Sequence, residues 1–345
     1  MKIFLKEVFS LVRIIVDNIV VTSRIRIARN IINMPFVNTD EVSANEVVSA
    51  VGNTLMNMGN YKVYKMDSIS DVDGKVMLEK NLVTKELLAN KSSGAVVLRS
   101  DEVVSVLVNE EDHVREQVIL PGLALDKAYK LIDEVDDELS DKLEFAYDES
   151  LGYLTSSVSN IGTGLKASVI LFLPALSLSS QIDKVINSVK SKGLVVDSVG
   201  ISGSSSVGYL YQLSNNVSIG NSEREIISMV TSAVNRIVEL EIEARQQMLE
   251  TNLDFVMDLS WRAYGILSNC YSIDYIEFMK LAGEVKLGIS LGVILLTDNK
   301  FIDKLIDYCS SSAIIKQSRK SLSEDEICKF RAEQLRKSLK NFRIK

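Results

Sequence analysis

The pattern of apolar residues changes once along this chain of 345 residues, and that change most constrains the fold. Up to about Asn221 the sequence alternates β-branched runs with amphipathic stretches, which predicts strands and helices in turn. Ser222-Glu-Arg-Glu225 is then a capping box, and helical spacing continues after it. The pattern therefore predicts an α+β part over residues 1–255, followed by a helical part over residues 256–345.

Several segments of the first part predict particular elements. Residues 95–108 hold two β-branched runs around a polar turn, which is typical of a hairpin. Residues 167–173 form an apolar run before Pro174, which is typical of a buried strand. We interpret residues 206–219 as a further pair of strands and residues 179–192 as an amphipathic helix closed by a glycine.

Three positions of the second part are expected to begin helices. Ser272 is interpreted as the N-cap of one helix and Asp298 as the start of the next. Ser323-Glu-Asp-Glu326 is a second capping box, which predicts a last helix after it. The apolar residues at the N-terminus are interpreted as a buried leading segment, because charges interrupt them and no cleavage site follows.

The composition excludes several classes of protein. One histidine and three well-separated cysteines cannot build a Cys/His zinc cluster, so no metal held by the protein is predicted. A disulfide framework is not expected either, which favours the cytoplasm. Lys+Arg is 39 and Asp+Glu is 46, so the net charge of 39 − 46 = −7 argues against nucleic-acid binding. No apolar stretch approaches the roughly 18–20 residues of a membrane span.

Arg24 and Arg26 lie two residues apart in a segment that reads as a strand. In extended backbone both guanidinium groups point to one face, while Ile25 and Ile27 pack on the other. Two converging arginines suit a polyphosphate, because each offers a planar fork of donors to phosphate oxygens. An edge strand with solvated arginines is the alternative interpretation.

Three carboxylates stand beside the only histidine, in Glu110-Glu111-Asp112-His113. Like charges this close raise one another's pKa unless cations offset them, so the cluster indicates a site; an acidic turn at a strand end is the alternative. His113 is expected to hold the carboxylate loop next to the phosphates, and direct contact with the nucleotide is the alternative. Further along, a turn containing Gly162 and Gly164 could let backbone N–H groups approach an anion.

Taken together and in this order, SRIRIARN, NEEDHVR and SNIGTGLKAS resemble the phosphagen (guanidino) kinase family, and most closely its bacterial branch, the protein-arginine kinases. The resemblance runs from about residue 17 to residue 339. It implies a catalytic domain with a large antiparallel sheet flanked by helices, and then a helical domain that binds phosphoarginine. It also implies transfer of the γ-phosphoryl group of ATP, with Mg²⁺, to arginine side chains of proteins.

The resemblance implies partners as well as chemistry. Relatives of this branch mark proteins for a Clp-type protease, so we expect arginine-containing protein substrates in the cytoplasm. A Clp-type unfoldase, an activating adaptor and a second copy of the chain in a homo-oligomer are further expected partners. Neither a nucleic acid nor a membrane is among them.

The resemblance assigns roles residue by residue. Catalytic positions are Glu111, Ser157 and Ser204, and the phosphoarginine position is Arg331. The positions implied to bind the nucleotide are Ser23, Arg24, Ile25, Arg26, Asn81, Arg115, Lys166, Ala167, Ser168, Val199, Gly200 and Gly203.

Several of these positions differ from the family pattern. Ser157 stands for a cysteine that helps hold the guanidinium, and Lys166 stands for an arginine, which keeps the charge but loses the bidentate fork. Val199 replaces a phosphate-binding arginine, Ser204 the second catalytic glutamate, and Asn81 a histidine near the nucleotide. These changes predict reduced activity. The alternative is a pseudokinase that regulates or adapts a Clp-type protease system.

Overall fold

The computed structural model describes five stretches of the chain, which are residues 19–35, 41–200, 206–295, 300–318 and 322–340. The leading segment that the sequence predicts to be buried lies outside them. Asp298, predicted to start a helix, also lies outside the described residues, and the helix that follows begins at Phe301.

The described residues form ten strands, which are β1 (Val20–Arg29), β2 (Tyr61–Lys65), β3 (Ala95–Arg99), β4 (Val104–Val108), β5 (Val114–Pro121), β6 (Tyr147–Asp148), β7 (Gly152–Tyr153), β8 (Leu165–Phe172), β9 (Leu194–Ser198) and β10 (Leu210–Asn215). Eight of them make one sheet in the order β2-β3-β4-β5-β1-β8-β10-β9, while β6 and β7 pair with each other. Every neighbouring pair in the large sheet is antiparallel. The predicted fold class is therefore confirmed.

Twelve α-helices are described, which are α1 (Glu41–Asn57), α2 (Asp71–Glu79), α3 (Lys85–Ala89), α4 (Leu125–Ser140), α5 (Pro174–Leu178), α6 (Ile182–Lys190), α7 (Glu223–Thr251), α8 (Leu253–Asn269), α9 (Tyr275–Ser290), α10 (Phe301–Tyr308), α11 (Ser311–Ser318) and α12 (Glu324–Leu339). In the described residues, none of these helices combines the length and apolar character needed to cross a bilayer. The boundary predicted at residue 255 falls inside the first turn of α8.

The strand predictions are confirmed in two places and wrong in one. The hairpin over residues 95–108 is β3 and β4, and the apolar run before Pro174 is β8. Residues 206–219 contain one strand, β10, and not two. The chain leaves the sheet after this strand because the Asn215 side chain donates to the carbonyl oxygens of Leu165 and Val217.

Two helix starts differ from the predictions. The helix expected over residues 179–192 begins only at Ile182, because α5 ends at Leu178 and Ser180 between them has a positive φ of 57°. The N-cap of α9 is Asp274 and not Ser272, since the Asp274 side chain accepts from the backbone N–H of Glu277. Both capping boxes are confirmed, at the starts of α7 and α12.

The two faces of the large sheet are covered differently. One face packs on α1, α4 and α7 and holds the main apolar core. On the other face, a smaller cluster that includes Met66 and Leu82 covers β3 and β4, and α9 of the helical part lies against Leu210 of β10. The middle strands β5, β1 and β8 stay open between these two covers, and this is where the predicted cations Arg24, Arg26, Arg115 and Lys166 lie.

Candidate active site

A cleft of about 230 Å³ lies on the open face, between the strands β1, β5 and β8 and two loops. Its lining residues are Arg26, Ile27, Ala28, Glu111, Asp112, Arg115, Ser157, Ser159, Asn160, Gly164 and Lys166. Five of the residues assigned from the sequence are thus brought together here, and these are Arg26, Glu111, Arg115, Ser157 and Lys166.

The register of the sheet places the cations side by side. Arg26 on β1 lies opposite Lys166 on β8, and Arg24 lies opposite Ser168. Because side chains alternate along a strand, these residues share the open face, and Arg115 on β5 joins them. The predicted convergence of Arg24 and Arg26 on one face is confirmed, and β1 is a central strand and not an edge strand.

Electrostatic repulsion among these cations is strong. The Nε of Arg26 is buried, and no described residue accepts a hydrogen bond from it. Burial lowers the pKa of Arg26 well below its usual range, and Arg24 and Arg115 lower it further. Burial and then Arg115 lower the pKa of Arg24 to about 10, and burial and then Arg26 lower the pKa of Lys166. Such a cluster is stabilised when an anion enters it.

Glu111 faces this cluster from a loop that is firmly held. The Ser156 hydroxyl donates to the backbone oxygen of Glu111 at 2.9 Å. The carboxylate of Asp112 accepts from the Asn30 amide and from the Ser156 backbone N–H, both at 2.7 Å. Burial raises the pKa of Glu111, and the neighbouring charges of Asp112 and Glu110 raise it further. A carboxylate with a raised pKa, on a fixed backbone, is suited to accept a proton.

Glu110 belongs to the acidic cluster found in the sequence, but the sequence gave it no role of its own. Both of its carboxylate oxygens accept from Nη1 of Arg115, at 2.9 and 2.7 Å, and one also accepts from the Thr84 hydroxyl at 2.7 Å. Burial alone would raise the pKa of Glu110, but Arg115 and Thr84 outweigh it and the pKa is lowered. Glu110 therefore orients Arg115 toward the cleft, and no sequence spacing distinguishes it from its neighbour Glu111.

His113 is buried and holds the carboxylate loop, as expected from the sequence. Its Nδ1 accepts from the backbone N–H of Ile31 at 3.0 Å, so Nε2 carries the proton and donates to the Pro35 oxygen at 2.9 Å. Burial lowers the pKa of the ring below its ordinary value. The neutral histidine thus ties the loop to the end of β1 and takes no direct part in the cleft.

The glycine turn serves close packing of the chain. Gly162 and Gly164 have positive φ angles of 113° and 71°. A Cβ at Gly164 would lie 2.5 Å from the Ala28 oxygen, and one at Gly162 would lie 2.8 Å from Cα of Ile219. The turn can therefore press against β1 at Gly164, and against the segment after β10 at Gly162, only without side chains.

The side chains of three residues assigned to the nucleotide lie on the opposite face, and the assigned role of these residues stays a prediction. Ile25 and Ala167 are 0% exposed within the main core. The Ser23 hydroxyl donates to the Gly122 oxygen and accepts from the backbone N–H of Ala124. The alternation that aims Arg24 and Arg26 at the cleft turns these side chains away from it.

Asn81 and Ser168 lie at the border of the cleft. The backbone oxygen of Asn81 accepts from the Gln117 side chain at 2.6 Å, and Gln117 lies opposite Arg26 in the sheet. The Ser168 hydroxyl accepts from Nε of Arg24 at 3.3 Å. These two residues position the floor of the cleft rather than line it.

Val199 extends β9 beyond the cleft. Its backbone N–H donates to the Leu210 oxygen at 2.9 Å, and its apolar side chain offers no donor to a phosphate. Gly200 follows with a positive φ of 143°. Gly203 and Ser204 lie outside the described residues, so their assigned roles stay predictions.

The structure places Arg331 inside the helical part, and its assigned phosphoarginine role stays a prediction. The side chain is 1% exposed in the core of the helical part. Its guanidinium donates to the backbone oxygens of Cys309 and Ile273, at 2.9 and 3.0 Å, and to the Ser311 hydroxyl at 2.8 Å. It therefore fixes the packing of the helices around it.

Comparisons with known proteins agree with this arrangement. Residues 43–244 match the family model of the ATP:guanido phosphotransferase C-terminal catalytic domain, and residues 254–345 match that of the protein-arginine kinase McsB C-terminal domain. A protein-arginine kinase of Halothermothrix orenii is 38% identical over 312 residues, which cover 90% of this chain and 89% of that protein. The chain belongs to the protein-arginine kinase family. One of Bacillus licheniformis is 35% identical over 333 residues, 94% of this chain and 91% of the relative.

Solved structures show the same fold. The duplicated taurocyamine kinase of Schistosoma mansoni, with bound transition-state analogue components, superposes with a TM-score of 0.60 at 23% identity. The match covers 73% of this chain and 38% of that one. A lombricine kinase gives 0.57 at 21% identity and covers 67% of each chain. The family models and the relatives above confirm the resemblance found in the motifs, and with it membership of an ATP-dependent phosphotransferase family.

Proposed function

We propose that this chain transfers the γ-phosphoryl group of ATP to arginine side chains of proteins, at a reduced rate. The observation that carries the proposal is the cleft itself, which sets Arg26, Arg115 and Lys166 against Glu111. Cations without a full set of acid partners suit the phosphates of ATP, and the carboxylate suits a guanidinium acceptor. Relatives named protein-arginine kinases support the same substrate class.

The proposed chemistry needs both the carboxylate and the cations of the cleft. A guanidinium holds its proton up to a pH of about 12, so it is a poor nucleophile until a base orients it and takes that proton. Glu111 supplies the base, because its raised pKa makes transfer of the guanidinium proton to its carboxylate less unfavourable. Arg26, Arg24 and Lys166 cancel charge on the phosphates, which is the main demand of phosphoryl transfer.

Mg²⁺ fits this proposal as an ion that enters the cleft bound to the nucleotide. Among the described residues, no group of three or more His, Cys, Asp or Glu side chains could hold a metal ion. The phosphate oxygens would therefore provide most of its ligands, as this hard cation prefers. When bound, the ion neutralises charge on the β- and γ-phosphates.

Departures from the family pattern at two catalytic positions support the reduced rate. The Ser157 hydroxyl shares a hydrogen bond of 2.9 Å with Ser159, and a serine does not ionise near neutral pH as a cysteine does. Ser204 stands at the position of the second catalytic glutamate. Loss of a general base costs about 10²–10⁴ in rate.

A second function is favoured by Val199, whose apolar side chain stands at a phosphate-binding position. If the chain has lost catalysis, it would act as a pseudokinase that regulates or adapts a Clp-type protease system in the cytoplasm. Its partners would then be a Clp-type unfoldase, an activating adaptor or a second copy of the chain. ATP binding could persist in that case, because Arg24 and Arg26 are retained.

The deciding experiment is incubation of the full chain with Mg²⁺, ATP and an arginine-rich protein, followed by assay of acid-labile phosphate on the protein. We expect slow transfer that the Glu111→Gln variant abolishes. Absence of signal at micromolar chain over hours, with ATP binding intact by calorimetry, would overturn the kinase proposal in favour of the pseudokinase.

A further inference from the structure

A second depression lies beside the cleft, and the glycine turn separates the two. Gly164 lines the cleft, whereas Gly162 lines a groove of about 460 Å³ on the other side of the turn, called here the side groove. Three large apolar or aromatic side chains of its lining are exposed, and these are Tyr147, Leu151 and Ile219, at 59%, 44% and 45%. The cleft and the side groove therefore share one wall.

The exposed side chains of the side groove have polar surroundings. Ser150, Asn221 and Ser222 line the same groove. Single exposed apolar residues are common on protein surfaces, but a cluster of them with a polar rim marks a surface that binds a partner. The side groove is therefore suited to an apolar side chain of another molecule.

Contacts within the chain fix the shape of the side groove. The backbone N–H of Tyr153 donates to the Gly162 oxygen at 2.7 Å, which joins β7 to the glycine turn. The turn lies directly against the segment after β10, since a Cβ at Gly162 would be 2.8 Å from Cα of Ile219. The Tyr147 ring packs edge-on against Tyr153, with ring centroids 5.2 Å apart. A groove that is formed before its ligand arrives loses little conformational entropy on binding.

The side groove lies near the end of the cleft that contains the proposed base. The Ser156 hydroxyl donates to the backbone oxygen of Glu111, and three residues later the Ser159 oxygen accepts from the Ser218 hydroxyl at 3.4 Å. Ser218 precedes Ile219 of the side groove, so one short loop connects the base with the groove. The cations extend away from the glycine turn along β8, where Lys166 and then Ser168 lie opposite Arg26 and Arg24.

We propose that the side groove binds an apolar side chain that accompanies the target arginine in protein substrates. The inference rests on the proposed function, because it concerns the acceptor of the same cleft. Side chains alternate along an extended segment. When the arginine points into the cleft, residues two or four positions away point to the same surface, and its immediate neighbours point away. Since the side groove lies on one side of the cleft, the apolar residue is needed on one side of the arginine only.

Peptide binding to the full chain tests the proposal. Fluorescein-labelled peptides of glycine and serine carry one arginine, and one leucine is moved through the positions from four residues before it to four residues after it. Fluorescence anisotropy should show about 5- to 20-fold tighter binding when the leucine stands two or four residues from the arginine on one side, because part of its side chain is buried. Leucine directly beside the arginine should give no gain in affinity.

Variants of the side groove should remove this gain. Leu151→Ser and Ile219→Ser should bring the affinity for the best leucine peptide to within about twofold of that for the peptide without leucine. Leu253→Ser is the matched control, because Leu253 is also 44% exposed but begins α8 in the helical part. This control should keep the full gain. Citrulline in place of the arginine should weaken binding of every peptide, since a neutral side chain loses its attraction to Glu111.

Four results would overturn the proposal. These are no peptide binding, equal affinity for all leucine positions, a gain that persists in both groove variants, and leucine peptides that bind equally well with citrulline. A change in the sedimentation of Leu151→Ser would assign the groove to a second copy of the chain and would count against the proposal too. Acid-labile phosphate on the same peptides distinguishes the proposed function: one-sided leucine preference without any phosphoryl transfer would support the side groove and contradict the kinase activity.

Discussion

Arg26 and Arg29 lie three residues apart on β1 and therefore on opposite faces of the sheet. Arg29 is 1% exposed and fully matched: it pairs with Asp136 at 3.0 and 2.6 Å, donates to the Thr163 oxygen at 2.8 Å and lies 3.5 Å over the Tyr153 ring. Arg26 lies among other cations, with its Nε unpartnered in the described residues. A buried cation that is paired with a carboxylate stabilises the fold, whereas a cation that faces other cations is available to bind an anionic ligand.

The largest effect is expected on the open face, at Glu111. Glu111→Gln should lower the phosphoryl-transfer rate by about 10²–10⁴. ATP affinity should be unchanged or higher, because a negative charge near the phosphates is removed. Activity of the wild type should fall as pH falls through the raised pKa of Glu111, at a higher pH than for an ordinary glutamate. A rate within threefold of wild type, measured by acid-labile phosphate, would contradict the base assignment.

On the covered face, Arg29→Met should mainly cost stability. The change leaves Asp136, whose side chain is 14% exposed, without its cation, and this costs up to about 3–5 kcal/mol of unfolding free energy. Urea unfolding followed by circular dichroism measures this loss. A loss of unfolding free energy below about 1 kcal/mol would contradict a structural role for Arg29.

Arg26→Met is the matched change on the other side of the same strand. Here we expect ATP affinity to fall by about 1.5–3 kcal/mol, the value of a hydrogen bond to a charged group. Stability should stay the same or rise, because repulsion with Arg24 and Arg115 is relieved. Calorimetry and urea unfolding on the same two variants give a direct contrast, and a large loss of stability in Arg26→Met would erase the difference between the faces.

The smallest effect is expected at Glu116, on the covered face near Asp136. No described residue donates a hydrogen bond to either oxygen of Glu116, and burial and then Asp136 raise its pKa well above the ordinary value. Protonated Glu116 therefore adds stability that is complete below the ordinary carboxyl pKa and is lost as pH rises toward the folded pKa, by about 1.4 kcal/mol per unit. The glutamine side chain of the Glu116→Gln variant cannot ionise. The melting temperature of this variant should therefore fall less than that of wild type from acid to neutral pH. Equal changes of melting temperature with pH in the two proteins would disprove this.

Local rules predicted the parts of the molecule that depend on neighbouring residues. The hairpin of β3 and β4, the two capping boxes and the shared face of Arg24 and Arg26 each follow from spacings of two to four residues. Applied to Ser23 and Ile25, the same alternation gives the covered face, where the structure has them. Their assignment to the nucleotide came from a motif and not from the geometry of a strand.

Contacts between distant segments could not be predicted from spacing. Arg331 matches a motif position, but the carbonyl oxygens of Cys309 and Ile273 enclose it only once the helices pack. Glu110 takes its role from Thr84, which lies 26 residues away. The choice of Asp274 over Ser272 as a cap likewise depends on where the chain enters α9.

His113, which holds the carboxylate loop in place, also allows the loop to be followed by nuclear magnetic resonance. The sequence contains one histidine, so the ring nitrogens of His113 give one pair of signals in a nitrogen-15 spectrum, and these need no assignment. Since one nitrogen accepts from Ile31 and the other donates to Pro35, the two shifts report separately on the two anchors. Titration of the nitrogen-15-labelled protein with ATP would then follow the response of the loop at atomic detail.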